Sequence, residues 1–192
     1  MSNWVARRTQ ANPNMTQAEQ ENNALIIATY FRGIGWTDNA IAAMLGNMQV
    51  ESFLNPAQFE MGYNFSASHG FGLVQWTPRT KYSDWAGADW ETNYDEQLTR
   101  IKYELDNGLQ WTYNVNMSFA AFSTSTLSTD YLTEVFCRNY ENPLDWSASI
   151  TQRQTNAENW FTFLGDTPTP GGKPPIWLLF KIRWNFNKGG LF

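Results

Sequence analysis

Between Thr37 and Pro56 the apolar residues Ile41, Met44, Leu45 and Met48 recur at i, i+3, i+4 and i+7, the spacing that lines one face of an α-helix. Thr37 is suited to cap the start of that helix and Pro56 bars its continuation. A chain whose strongest pattern has this period builds its core from helices. The rest of the sequence agrees. Thr16 and Glu19 form a capping box ahead of Leu25, Ile26, Ile27 and Phe31, and Gly33 and Gly35 break the run. Thr77-Pro78 predicts the start of a short helix toward Trp85. Asn93 and Glu96 open another, with Tyr94, Leu98, Ile101 and Leu105 on one face and Gly108 near its end. Tyr131, Leu132, Val135, Phe136 and Tyr140 form a further stripe stopped by Pro143, and a last helix spans about 147–164. Residues 59–74, rich in Gly, Asn, Ser and aromatics, have no such period and read as a loop or small hairpin. The expectation is a mostly α domain of six or seven helices with one irregular, possibly β-containing insertion.

Composition narrows the chemistry. The 192 residues contain one cysteine, Cys137, and one histidine, His69, which excludes an intramolecular disulfide and leaves too few ligands for His-based metal chemistry. No HExxH, paired CxxC or GxSxG motif occurs. The reading therefore expects no metal or cofactor, and any enzyme here runs on carboxylates. Of the 18 acidic residues, 17 fall in 1–165 with 9 of the 13 basic ones. An acidic body of this kind is a poor partner for nucleic acid, which needs basic groups to neutralise phosphates. Arg7 and Arg8 are followed by no apolar run, so no secretory signal peptide is expected.

The stretch 165–175, GDTPTPGGKPP, reads as an extended connector. It divides the chain into a domain at 1–165, a linker at 166–175 and a basic, aromatic tail at 176–192. The apolar run 176–180 is far shorter than the roughly 20 residues of a membrane-spanning helix. The tail is read as a docking segment for an assembly, with membrane-surface contact or the opening of a further domain as the alternatives.

Glu51 lies three residues after Met48, at the edge of the apolar stripe, where partial burial raises a carboxyl pKa toward the value that a general acid needs. Behind it run Ser52-Phe53-Leu54-Asn55-Pro56, and 24 positions on stands Gln75, in Gly70-Phe71-Gly72-Leu73-Val74-Gln75-Trp76. An ES pair near a helix end followed by GxGLxQ resembles the lysozyme superfamily in its goose-type and lytic-transglycosylase branches. More closely, GWTDNAIAAMLGNMQVESFLNP with GFGLVQWTP, and then Tyr140-Glu141-Asn142-Pro143, resembles the phage tail lysozyme family over about residues 18–165.

This resemblance implies a virion protein at the tail tip that opens peptidoglycan during genome entry, with glycan strands as substrate and tail-tip or knob proteins as partners. It implies Glu51 as the catalytic acid for the bond between N-acetylmuramic acid and N-acetylglucosamine. Gln75 and the backbone at Gly72 and Leu73 would line the saccharide cleft, with Ser52 and Trp76 beside them and Tyr140 near the catalytic carboxylate. A second carboxylate is left open, with Glu60 and Asp84 the nearest candidates by sequence order, as are substrate assistance by the 2-acetamido group without one and transglycosylation to an anhydro product. Glu141 receives no chemical role. Members of the family often carry a metallopeptidase domain after a Gly-rich linker, for which this chain has neither the length nor the histidines. The alternative from another class is a catalytically silent tail-tip or sugar-binding module. The chain's 31 aromatic residues suit stacking on sugar faces, with Tyr63, Phe71, Trp76, Tyr82 and Trp85 flanking the motifs. Core packing is the reading preferred for Trp85, Trp111 and Trp160, and Cys137 is expected as a buried hydrophobe.

Overall fold

The computed structural model describes residues 2–165; the linker at 166–175 and the tail at 176–192 lie outside the described residues. Seven α-helices follow one another: α1 (Gln17–Gly33), α2 (Asp38–Ser52), α3 (Thr80–Ala86), α4 (Asp95–Asp106), α5 (Phe119–Ser123), α6 (Thr129–Phe136) and α7 (Ile150–Gly165). A π-helical turn, Cys137–Glu141, continues α6. The mostly α, lysozyme-like expectation is met. The irregular insertion is also present, reduced to isolated bridges Thr9–Gln58 and Phe59–Phe71.

The cap residues act as their chemistry predicts. Thr16 and Glu19 complete a capping box on α1, and the Thr37 hydroxyl accepts from the Ala40 amide at 3.2 Å. The α2 helix differs from a one-sided amphipathic helix. Every residue from Ala40 to Met48 is buried, so α2 runs through the centre of the domain and α6 and α7 pack against it. Small residues make this possible. A Cβ on Gly46 would lie 2.5 Å from the Arg153 carbonyl oxygen and 2.8 Å from the Ala157 Cβ, so only glycine lets α7 cross this close.

Two helix predictions shift. The short helix after Pro78 begins at Thr80 rather than at Pro78. The stripe ending at Tyr140 holds its α geometry only to Phe136. From Cys137 the turn widens, and the Asn142 amide donates to the Cys137 carbonyl, five residues back, at 2.7 Å. This irregular backbone finds partners outside the helix. Thr112 N donates to the Asn139 carbonyl at 2.8 Å, Gln110 Nε2 to the Tyr140 carbonyl at 3.2 Å, and Asn139 exchanges two bonds with Val115. The α5 helix, only five residues long and capped by Ser118, has no counterpart in the sequence reading.

Candidate active site

The C-terminal end of α2 opens into a cleft of about 630 Å³. Its walls come from Val50, Glu51 and Phe53 at the end of α2, residues 58–61 with Val74, Gln75 and Thr77 in the irregular region, Lys81, Gln110 and Thr112, and 140–143 in and after the π turn. Glu51, Gln75 and Tyr140 all line it; Ser52, Gly72, Leu73 and Trp76 stand behind the wall.

The α2 helix stops at Ser52 because Phe53 and Leu54 both turn left-handed, with φ of 57°. Glu51 therefore sits on the last turn and faces the opening with a side chain 21% exposed. Its setting is ionic rather than apolar. Arg153 of α7, only 4% exposed, donates to Glu51 Oε1 at 2.5 Å. The same guanidinium donates through Nε to Ser149 Oγ at 2.9 Å and through Nη1 to Asn47 Oδ1 at 3.0 Å. Asn47 is held in turn by the carbonyls of Ala43 and Thr133. Glu51 is thus positioned by a cation that three helices hold in place.

The Gly70–Trp76 motif builds the supporting wall. The Ser52 hydroxyl lies 3.0 Å from the Met48 carbonyl and 2.9 Å from that of Leu73. Gln97 of α4 accepts from the Leu73 amide at 2.9 Å and donates to the Pro56 carbonyl at 2.7 Å. Gly72, at φ 82°, brings its backbone so near that a Cβ would lie 2.6 Å from Gln97 Oε1, which makes glycine a requirement there. Gln75 donates to the carbonyls of Gln58 and Gly72 at 3.1 and 2.9 Å. Its amide nitrogen thus braces the loop from the cleft side.

Trp76 and Tyr140 occupy the core. Each is 1% exposed. Trp76 stacks on Tyr82, and both Trp76 and Tyr140 donate to Glu104 of α4, which also accepts from Arg100 Nε at 2.8 Å. The Tyr140 hydroxyl is therefore engaged by Glu104 rather than by Glu51. Burial, and after it the Glu104 charge, pushes its pKa well up and keeps it protonated. Tyr140 reaches the cleft as part of the turn that presents Glu141.

The remaining carboxylates divide clearly. Glu60 lines the cleft and accepts from the Gly70 amide at 2.8 Å, with His69 Nδ1 at 3.2 Å. Asp84 is exposed on α3 and is absent from the cleft walls. Glu141 lines the cleft from the π turn, and its Oε1 is buried with no hydrogen-bond partner. Burial, and secondly the Glu51 charge, pushes the Glu141 pKa well above the ordinary carboxylate range, with Arg153 pulling the other way. Arg153 itself is held above its usual value, although burial opposes its charge, because both carboxyls attract it.

Sequence reasoning assigned no role to Arg153 or Glu141. Arg153 heads the buried stripe Arg153, Asn156, Ala157, Trp160 and Leu164 of α7, and a cation on a core-facing stripe signals a buried anion elsewhere. Among the aromatics flanking the motifs, Phe71, Trp76 and Tyr82 are core residues. Tyr63 is exposed and stacks on His69 at 3.7 Å between ring centroids. Trp111 and Trp160 are buried as expected, and Cys137 is a buried free thiol whose pKa burial pushes up to about 11.

A helical domain with a glutamate at the end of its central helix, facing an open cleft, has the arrangement of the lysozyme-like class. A family model described as phage tail lysozyme matches residues 22–164, and the chain belongs to that family. It is 43% identical over 155 residues to Morphogenesis protein 1 of Bacillus phage B103, an alignment that covers 80% of this chain and 42% of that protein. The chain thus spans less than half the length of this relative.

Proposed function

We propose that this protein is a virion-associated muramidase that cleaves the N-acetylmuramic acid to N-acetylglucosamine bond of peptidoglycan and opens the wall at the tail tip during genome entry. The observation that carries this reading is Glu51, fixed on Arg153 and lining an open cleft of about 630 Å³. Glu51 acts as general acid. It delivers a proton to the leaving oxygen as an oxocarbenium-like transition state develops.

Glu60 is the second carboxylate of choice. It faces the same cleft from a different wall, anchored by the Gly70 amide, whereas Asp84 does not line it. Hydrolysis is favoured over anhydro-sugar formation because the Tyr140 hydroxyl, the feature shared with transglycosylases, is committed to Glu104.

Glu51→Gln is expected to keep the fold and lower muropeptide release from purified Gram-positive walls by about two orders of magnitude or more. Wild-type-like release by that variant removes Glu51 from the mechanism. Mass spectrometry of the products then reads water addition against a 1,6-anhydro end.

A further inference from the structure

The cleft contains a third carboxyl group for which glycan cleavage, as proposed above, has no obvious use. Glu141 sits on a π turn, the backbone irregularity that aims a side chain where a regular helix cannot. Its Oε1 is closed off from solvent, and no donor among the described residues reaches it. The cation nearest in charge balance, Arg153, has its three guanidinium nitrogens engaged by Ser149, Asn47 and Glu51. A carboxylate with one oxygen occluded and without a donor is disfavoured in its charged form, and it escapes that penalty by taking up a proton.

We propose that Glu141 is a positioning residue that keeps one proton in the cleft at neutral pH, so that Glu51, Glu141 and Arg153 together carry one proton and no net charge. The groups facing Glu141 are Glu51 of α2, Arg153 of α7 and Glu104 of α4, with the neutral Cys137 and Tyr140 on its own turn. Arg100 balances Glu104 and Arg153 balances Glu51, so ionising Glu141 as well leaves the group net negative. When the proton is on Glu51, Glu141 is the anion that balances Arg153, and the total charge is unchanged. Protonation of the leaving oxygen empties the pair. Addition of water to the sugar returns the proton. Glu141 therefore sets how far into alkaline pH the acid remains loaded, which rests on the glycan-cleavage reading, whereas the site of the resting proton does not.

Two measurements on the 192-residue chain test this. With glutamate Cδ labelled by ¹³C, one carboxyl resonance is expected to remain at its protonated position at about pH 7 and to be missing from Glu141→Gln. In Glu51→Gln, which removes the neighbouring anion, the same resonance should titrate at lower pH. In wall digestion, Glu141→Gln is expected to move the alkaline limb of the pH–rate profile down by about one unit or more. That is a loss of roughly tenfold above the limb with little change below it, because the cleft then lacks the carboxyl that keeps its proton.

An ionised Glu141 resonance at neutral pH overturns the proposal. So does a variant whose activity falls equally at every pH, which is the behaviour of a purely structural residue. Walls left intact by a wild-type protein whose Glu141 is protonated instead sink the glycan-cleavage reading and leave the proton where it is assigned.

Discussion

Glu104, bonded to the Tyr140 hydroxyl, and Glu141, next to Tyr140 in the chain, are two glutamates with occluded oxygens, the first fully buried and the second half-buried, and they have opposite fates. Glu104 is 0% exposed, and its two oxygens accept from Tyr140, Trp76 and Arg100. Glu141 has an occluded oxygen with no donor. Burial raises both pKa values; for Glu104 the Tyr140, Arg100 and Trp76 bonds pull back, and for Glu141 the Glu51 charge adds to the rise. A buried carboxyl with all its partners holds a core together. One left short of partners beside a cleft holds a proton instead.

Replacing the glutamates breaks or sharpens this contrast. The largest effect is expected from Glu104→Ala, which strands Arg100, the Trp76 indole N–H and the Tyr140 hydroxyl in the core. A loss of about 3–5 kcal/mol should appear in urea unfolding; a loss under about 1 kcal/mol would place Glu104 in the same class as Glu141. Tyr140→Phe removes one of those donors. Its expected cost is about 1–2 kcal/mol, with wall digestion little changed, since the hydroxyl is engaged by Glu104 rather than by Glu51. A sharp drop in activity at unchanged stability would move that hydroxyl into the cleft.

The last test is confined to one pH range and is the most diagnostic. A carboxyl whose folded-state pKa lies above its unfolded value binds extra proton in the native state, so its contribution to stability is complete below about pH 4.5. That contribution is lost progressively as pH rises from there toward the folded-state value. Glu141→Gln, which cannot ionise, should therefore melt higher than wild type at pH 7, and the two should converge near pH 4.5. Thermal scans at the two pH values check this. A variant that melts lower at both shows that Glu141 is a structural carboxylate like Glu104.

Much of the fold was legible because it follows from local chemistry. The Thr16 and Thr37 caps, the stop at Gly33 and the stripe on α4 need only their own neighbours along the chain. α5 was not legible, since five residues make little more than one turn and show no period. The π turn escaped for a related reason. Its stripe through Tyr140 looks helical, and the extra residue per turn shows only in the hydrogen bonds.

At the site, the helix-end glutamate and the paired motifs pointed to Glu51 and Gln75, both of which line the cleft. Trp76 adjoins Gln75 in sequence, yet the left-handed backbone at Gln75, φ 49°, sends the two side chains to opposite sides of the wall. Arg153 was invisible because its partner is 102 residues away. Nor did the sequence tell how the rings are divided. Most of those near the motifs pack the interior, and Tyr63 is left at the surface.

The widened turn at Cys137–Glu141 gives this segment an unusual sensitivity to length. In evolutionary terms, removing a single codon here would let the chain relax into an ordinary α-helix. The rest of the turn would then rotate by about 100°, carrying Glu141 off the cleft and Tyr140 off Glu104 with composition almost unchanged. Point substitutions sample this site gently; a one-residue deletion would erase it, and selection on the gene should therefore act on the reading-frame spacing between Phe136 and Pro143 as strictly as on the identity of any residue within it.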